Sequence, residues 1–337
     1  MSRRLLLAVF VASLASGQAA VYEAVEPHMG ALFRIKLYAA SEDEAKRAFA
    51  AAFARVTVLD ETLSDYKPES ELSRLTRIAI GHPVPISGDL QRVLIASQRL
   101  AQQTNGAFDI TVGPLSHLWR QARRRQQVPD AAAIADAKAH CGYRKLHVDA
   151  DAHTAWVDEP GMLLDVGAIG KGDAAEQALN AITQQGVRSA LVAASGDLAF
   201  SDAPPGETGW KIGLDSFDQP EAPLARILVL THRAVSTAGA QEQHLDQNGK
   251  RYSHIINPFS GNGITDPITV SVVAQHGLEA DGLDTAISLI GPKAGLELLK
   301  NYPGAQALLL IQKDGRPKLI ESSGFQALTR PLTPSAE

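Results

Sequence analysis

The stretch "PITVSVVAQHGLEADGLDTAISLIG", residues 267–291, holds two kinds of secondary structure end to end. Residues 267–275 are apolar and β-branched and read as a strand. From Leu278 onward the pattern is helical, with Leu283, Ala286, Ile287 and Ile290 on one apolar face. Asp281 and Thr285 are four apart and share another face, while Asp284 is expected to point away from that pair. Asp281 has two readings. It is an N-cap, with Asp284 standing in for the usual Glu or Gln three residues later. Or the carboxylate and the hydroxyl offer hard oxygens to Mg²⁺ beside a phosphate. The stretch by itself leaves both open.

The same mixing of strand and helix runs outward in both directions. "ALFRIKLYA" (31–39) reads as a strand, and "SEDEAKRAFAAAFARVTVLDETLS" (41–64) as a long helix opening at Ser41. Residues 88–104 form another helix, and "TNGAFDITVGPLSHLW" (104–119) is a turn-rich apolar segment. "KLHVD" and "TAWVDE" pair across an acidic turn. "GMLLDVGAIGKG" (161–172) reads as a strand entering a glycine-rich turn, and Ala175, Ala178, Leu179 and Ile182 then share a helical face. "SALVAASGDLAF" (189–200) is a buried strand broken at Ser195-Gly196-Asp197. Short strands with turns follow through "YSHIINPFSGNG", and "AQALLLIQKDG" precedes a polar end. No charged or proline-rich linker divides the chain, and no close short-period repeat appears. The irregular order implies an α+β domain rather than a doubly wound sheet.

The chain has 337 residues, 45% hydrophobic and 20% charged, with a formal net charge of −5. That composition is globular, and the charge gives no electrostatic reason to expect nucleic acid. The one basic run, "RQARRR" (120–125), reads as a solvated helix face. Residues 1–20 carry Arg3 and Arg4, an apolar run from Leu5 to Leu14, and small residues ending at Ala19 and Ala20. This is the pattern of a secretory signal peptide, too short in its apolar part to span a membrane. The expected product is a soluble periplasmic protein with a folded unit over 21–325 and a polar tail over 326–337. No cysteine near the cleavage point offers a lipid attachment. Cys141 is the single cysteine, so no internal disulfide is possible, and it reads as an inert thiol.

Three further segments are able to carry chemistry. "DVGAIGKGDAAEQ" (165–177) aims backbone N–H groups and the Lys171 ammonium in the manner of a phosphate cradle, though a bare strand-to-helix turn explains its glycines equally well. It is not a Walker A loop, which needs glycine at Asp165 and Ser or Thr at Gly172. His254, in a strand entering an Asn-Pro turn, reads as a packed histidine or a general base. Tyr66 reads as a half-buried aromatic or a platform for a flat ring.

The order and spacing of nine blocks decide among these readings. They are "HMGALFRIKLYA", "LDETLSDYKPESELSRL", "TNGAFDITVGPLSHLW", "LLDVGAIGKGDAAEQAL", "SALVAASGDLAF", "GWKIGL", "RAVSTAG", "RYSHIINPFSG" and "EADGLDTAISLIG". From about residue 22 to about residue 312 the chain resembles the ApbE family, the FAD:protein FMN transferases. The resemblance implies a single α+β unit of two related halves of antiparallel sheet with packed helices. It implies an enzyme that splits FAD, attaches FMN to a Thr or Ser hydroxyl of an exported or membrane-bound flavoprotein through a phosphoester bond, and releases AMP. Two alternatives are an FAD pyrophosphatase releasing FMN and AMP, and a periplasmic FAD-binding protein without turnover.

Residue by residue, the resemblance places Asp281, Thr285 and the Ala168 carbonyl on Mg²⁺, with Mn²⁺ as the other candidate ion. Lys171 and Gly167 belong to the glycine turn, and Lys171 joins His254 as a catalytic group. Met29 lies beside adenine, Tyr66 stacks on the isoalloxazine, and Asp109, Gly196 and Asp197 complete the flavin pocket. Five positions depart from the family pattern: Ala31 for Thr, Asp173 for an aromatic, Ser195 for Gly, Ala238 for Ser and Asn257 for Asp.

Overall fold

A computed structural model describes residues 19–214, 226–239, 243–313 and 316–331. The expected signal peptide therefore lies almost wholly outside the described residues. Eight strands form one sheet: β1 (Ala20–His28), β2 (Ala31–Ala39), β3 (Ser189–Ala194), β4 (Asp197–Phe200), β5 (Arg233–Gly239), β6 (Ile268–Ala274), β7 (Gln306–Lys313) and β8 (Arg316–Glu321). Each pairs antiparallel with the next. The helices are α1 (Glu42–Leu63), α2 (Glu71–Ile78), α3 (Gly88–Gln103), α4 (Gly113–Arg125), α5 (Ala131–Ala139), α6 (Gly170–Gln184) and α7 (Gly277–Leu298). In one half, β1 and β2 are joined through α6 to β3 and β4. In the other, β5 and β6 are joined through α7 to β7 and β8. The expected two-halved α+β unit is the fold.

Both faces of the sheet are covered, as its alternation requires. Val272 and Leu309 point into the main core with α1, α6 and α7, whereas Val273 and Leu308 point to the opposite face. That opposite face is closed by a three-stranded sheet of Trp210–Gly213, Arg226–Leu230 and Thr329–Pro331. Phe325 is fully buried there, and Thr329–Pro331 pairs with Arg226–Leu228, so the packed chain runs on to Pro331 rather than stopping at 325. A third cluster, around Trp119, Leu115 and Ile256, joins α4 to the hairpins of residues 244–263. The Trp119 indole N–H donates to Gly261 O at 2.8 Å. Among the described residues no helix is long and apolar enough to cross a membrane.

Two expected elements differ. Residues 161–169 form no strand. Only a single bridge joins Leu163 to Val112, and the Asp165 N–H donates to Ile110 O at 2.8 Å. Leu164 and Val166 are buried in the core, and an apolar run cannot distinguish strand from buried coil. The segment 104–119 is not all turn, since α4 begins at Gly113 with Pro114 in its first turn, where a missing N–H costs nothing.

Helices α6 and α7 cross in backbone contact. A Cβ on Gly172 would sit 2.2 Å from Gly277 O, and one on Gly277 would sit 2.0 Å from Gly172 O. An ionic chain, part-buried at Arg55, Asp89 and Arg92 and buried at Asp173, fastens α6 to its neighbours. Arg55 of α1 donates two hydrogen bonds of 2.6 Å to Asp89, and Arg92 of α3 donates one to Asp89 at 2.8 Å and two to Asp173 at 2.9 and 2.8 Å. Asp173, which stands where the family has an aromatic residue, is 1% exposed. Loss of the Asp173 carboxylate leaves Arg92 part-exposed and still paired with Asp89, which typically costs about 1–3 kcal/mol. Asp173→Ala is expected to lower unfolding stability by about that amount in urea titration.

Candidate functional site

Strand ends and helix starts converge on one cleft. The helix α7 starts at Gly277, not at Asp281, and its first N–H is capped from outside by Glu176 Oε2 at 2.7 Å. Asp281 is therefore inside the helix and the N-cap reading falls. Its Oδ2 instead accepts the Gly172 N–H of α6 at 2.8 Å, a bond that the close helix crossing permits. Lys171 lies alongside, with Nζ 2.7 Å from Asp197 Oδ2 and 3.9 Å from Asp281 Oδ1.

Asp284 does not point away. It is 2% exposed, and Ser236 Oγ of β5 lies 2.6 Å from its Oδ2 and 2.6 Å from Asp197 Oδ1. The reason is helical geometry: positions three apart lie on one side of a helix as surely as positions four apart. A serine hydroxyl has one proton and can donate to only one of these carboxylates. The second short contact requires a protonated carboxyl, which donates to Oγ. Asp284 is the group suited to hold that proton, because burial, then Asp281 and Asp197, push its pKa well above the ordinary carboxylate range. Burial and Asp197 push Asp281 up to about 7, against the pull of Lys171. Burial by itself would lower the Lys171 pKa, but Asp281 and Asp197 outweigh it and hold the ammonium charged.

Three buried carboxylates thus face one ammonium, and Asp284 Oδ1 has no hydrogen-bond partner. The cluster is short of positive charge, which suits a divalent cation. Among the described residues no three His, Cys, Asp or Glu side chains are placed to ligate an ion together. A cation here therefore needs oxygens of other kinds, and Thr285 and Ala168, which carry a hydroxyl and a backbone carbonyl, line the same cleft.

The remaining candidates line the same cleft, in different ways. Met29 and Gly30 form the two-residue turn between β1 and β2, both with positive φ. Gly167 donates its N–H to Asp165 Oδ1 at 2.8 Å, tightening the turn before Lys171. Gly196, in the turn between β3 and β4, approaches Thr237 O closely enough that a Cβ would lie 3.0 Å away. Tyr66 is 64% exposed, with the Arg120 guanidinium over its ring at 4.3 Å. Asp109 is the exception. Its carboxylate accepts the Thr111 N–H and hydroxyl at 2.8 and 2.7 Å and the Tyr143 N–H at 2.9 Å, so it is spent on holding the wall.

His254 stands exposed at the cleft edge, with Nδ1 3.3 Å from Gln243 O. A carbonyl accepts only, so this contact puts the proton on Nδ1 and leaves the Nε2 lone pair free. Partial desolvation in the cleft, with the charges of Arg123 and Lys171, lowers the His254 pKa, so the ring is neutral at pH 7.

Sequence reasoning missed four lining residues. Ser236 looked like any small residue of a buried strand. Asp165 was read only for failing a Walker pattern. Arg120 and Arg123 belong to the run assigned to a solvated face, yet Arg120 pairs with Asp65 and, at 2.8 Å, with Asp165. Their spacing of three, placing both on one helical face, was the available signal.

A family model described as "ApbE family" matches residues 29–309. A curated relative from Klebsiella pneumoniae (strain 342), named FAD:protein FMN transferase, is 31% identical over 292 residues, covering 85% of this chain and 83% of that one. One of the same name from Treponema pallidum (strain Nichols) is 31% identical over 308 residues, covering 86% and 84%. Among solved structures, apo flavinyl transferase ApbE from Pseudomonas stutzeri aligns with a TM-score of 0.80 at 27% identity, covering 94% of this chain and 98% of that one. The ApbE protein of Thermotoga maritima aligns with a TM-score of 0.80 at 25% identity, covering 92% and 99%. Sequence and fold agree over most of both partners, and the chain belongs to the ApbE family and is a transferase.

Proposed function

We propose that this protein transfers FMN from FAD to a Thr or Ser hydroxyl of a target flavoprotein, forming a phosphoester and releasing AMP. The observation that carries the reading is the placement of the charge-deficient Asp281–Asp284–Asp197–Lys171 cluster and the neutral His254 on one cleft. The acceptor hydroxyl gives its proton to His254 Nε2 as its oxygen bonds to the FMN phosphorus. The bond from that phosphorus to the bridging oxygen breaks, and AMP leaves with the electron pair. Lys171 faces the pyrophosphate as a fixed positive charge. Tyr66 stacks on the isoalloxazine, Met29 lies against the adenine, and Gly167, Gly196, Asp197 and Asp109 shape the pocket between. Asp281, Thr285 and the Ala168 carbonyl hold Mg²⁺, with Mn²⁺ as the alternative. When bound, that ion supplies neutralisation of phosphate charge. Residues 1–20 act as an export signal and 21 onward as the catalytic unit, which places the enzyme in the periplasm with exported or membrane-bound targets.

Incubation with FAD, Mg²⁺ and a target domain should increase the mass of the target by one FMN. Free FMN without target labelling, or intact FAD, would sink the reading. His254→Asn should slow attachment by roughly a hundred- to ten-thousand-fold while FAD affinity barely moves. In the wild type the attachment rate should fall as pH drops through an apparent pKa below 6.5, the ordinary histidine value.

Asp281 and Asp284 titrate higher folded than unfolded, so the folded protein binds more protons than the unfolded one between their unfolded value of 3.8 and their raised values. Without metal, stability should therefore decrease as pH rises from about 4.5 to about 7, with His254 working weakly in the opposite sense. Mg²⁺ should raise Tm at pH 7 and lose that effect toward pH 5. Asp281→Asn should flatten the metal-free profile and remove the Mg²⁺ response. A metal-free Tm that climbs steadily from pH 5 to pH 7 would contradict the charge deficit.

A further inference from the structure

The cleft is lined by three long cationic side chains among the described residues: Lys171, Arg120 and Arg123. Two are committed. Lys171 is held by Asp197, and Arg120 bridges Asp65 and Asp165. Arg123, one helical turn beyond Arg120 on α4, has no carboxylate within ion-pairing distance among the described residues. Asp165 acts on it only from further off, and Arg120 crowds it with like charge. Arg123, His254 and Lys171 line the same cleft, where burial, then the charges of Arg123 and Lys171, lower the His254 pKa. A half-buried, unneutralised guanidinium facing a cleft is costly unless an anion arrives to meet it.

We infer that Arg123 is a phosphate-binding residue, holding a non-bridging oxygen of the phosphoryl group that is transferred. The inference rests on the flavin-transferase reading and adds to it the side chain that meets substrate charge from the α4 wall. Three arguments favour the phosphate over other parts of the ligand. In the proposed transfer His254 lies next to the reacting phosphorus to take the acceptor's proton, and Arg123 and Lys171 line the cleft that His254 borders. The aspartate side of the cleft already has more negative charge than Lys171 balances, so further compensation has to come from elsewhere. A guanidinium also donates in a planar fork that matches two phosphate oxygens, which an ammonium cannot do. The rest of "RQARRR" divides accordingly, with Arg124 and Arg125 exposed and Arg120 spent on the wall.

The test is binding of three flavins that share the ring and differ in phosphate. FAD, FMN and riboflavin are titrated by fluorescence against wild type, Arg123→Gln and Arg123→Lys, with Mg²⁺ present. Arg123→Gln should weaken FAD and FMN by roughly ten- to a hundred-fold and leave riboflavin unchanged, and Arg123→Lys should recover part of the loss. Arg123 makes no ion pair among the described residues, so Tm of the flavin-free variants should match wild type. Equal weakening of all three flavins would move Arg123 to the ring and overturn the inference. Unchanged FAD and FMN affinity would overturn it too, including the case where only the KM of the acceptor protein rises. A wild type that binds no flavin would instead sink the function proposed above, and that is read first.

Discussion

The site depends on the backbone contact between Gly172 and Gly277. With no side chain at either position, the first turns of α6 and α7 meet at carbonyl-to-Cα range. That contact lets Asp281, one turn into α7, accept the Gly172 N–H of α6. It also sets Lys171, the neighbour of Gly172, beside the carboxylates of α7 and β4. The two helices belong to different halves of the molecule, so the charged centre is assembled across the junction of the halves. A methyl group at either glycine has no space to occupy without separating the helices.

Once the helices cross in this way, the electrostatics follow. Asp197, Asp281 and Asp284 are each nearly inaccessible to water, and burial pushes the Asp281 and Asp284 carboxyls toward their protonated forms. Among the described residues one lysine, one serine hydroxyl and the α6 backbone N–H at Gly172 are the compensation the three receive, with a single positive charge between them. This imbalance costs stability in the absence of a ligand, and it is the arrangement a cation and a pyrophosphate would complete together. The Arg55–Asp89–Arg92–Asp173 chain behind α6 is the converse case, with each carboxylate matched by a guanidinium fork. Its job is to hold α6 against α1 and α3.

Much of this was legible in the sequence, for physical reasons that differ by element. Helix α1 could be read because Ser41 caps it and its apolar residues keep a helical period. The break at Ser195-Gly196 falls where a strand had to end, whereas the strand Ala20–His28 and its turn at Met29-Gly30 were not read. The lysine turn and the Asp281–Thr285 pair were visible as motifs. Long-range pairing was not visible. Nothing local says that Arg120 meets acids at 65 and 165, or that Ser236 will sit between Asp197 and Asp284. Asp284 was misjudged for a simpler reason: a wheel that separates positions three and four apart ignores the breadth of a buried helix face.

The departures from the family pattern bear on how much chemistry the cleft retains. Asp173 turns its carboxylate to Arg92, away from the reacting groups, and anchors α6. Asn257 uses its side-chain oxygen to accept the N–H groups of Phe259 and Ser260 at 2.9 and 3.2 Å, which a carboxylate oxygen does equally well. Ser195 occupies a left-handed conformation, φ 59°, which costs a non-glycine residue about 1 kcal/mol. That is a charge on stability and not on the reacting groups. Ala31 and Ala238 line the cleft without polar side-chain atoms, so these two positions have lost hydrogen-bonding capacity toward a ligand. The losses therefore fall on the pocket wall. Lys171, Asp197, Ser236, Asp281, Asp284, Thr285 and His254 keep every proton-moving and charge-holding group the proposed transfer calls on, which favours an enzyme over a binding protein that has lost its turnover.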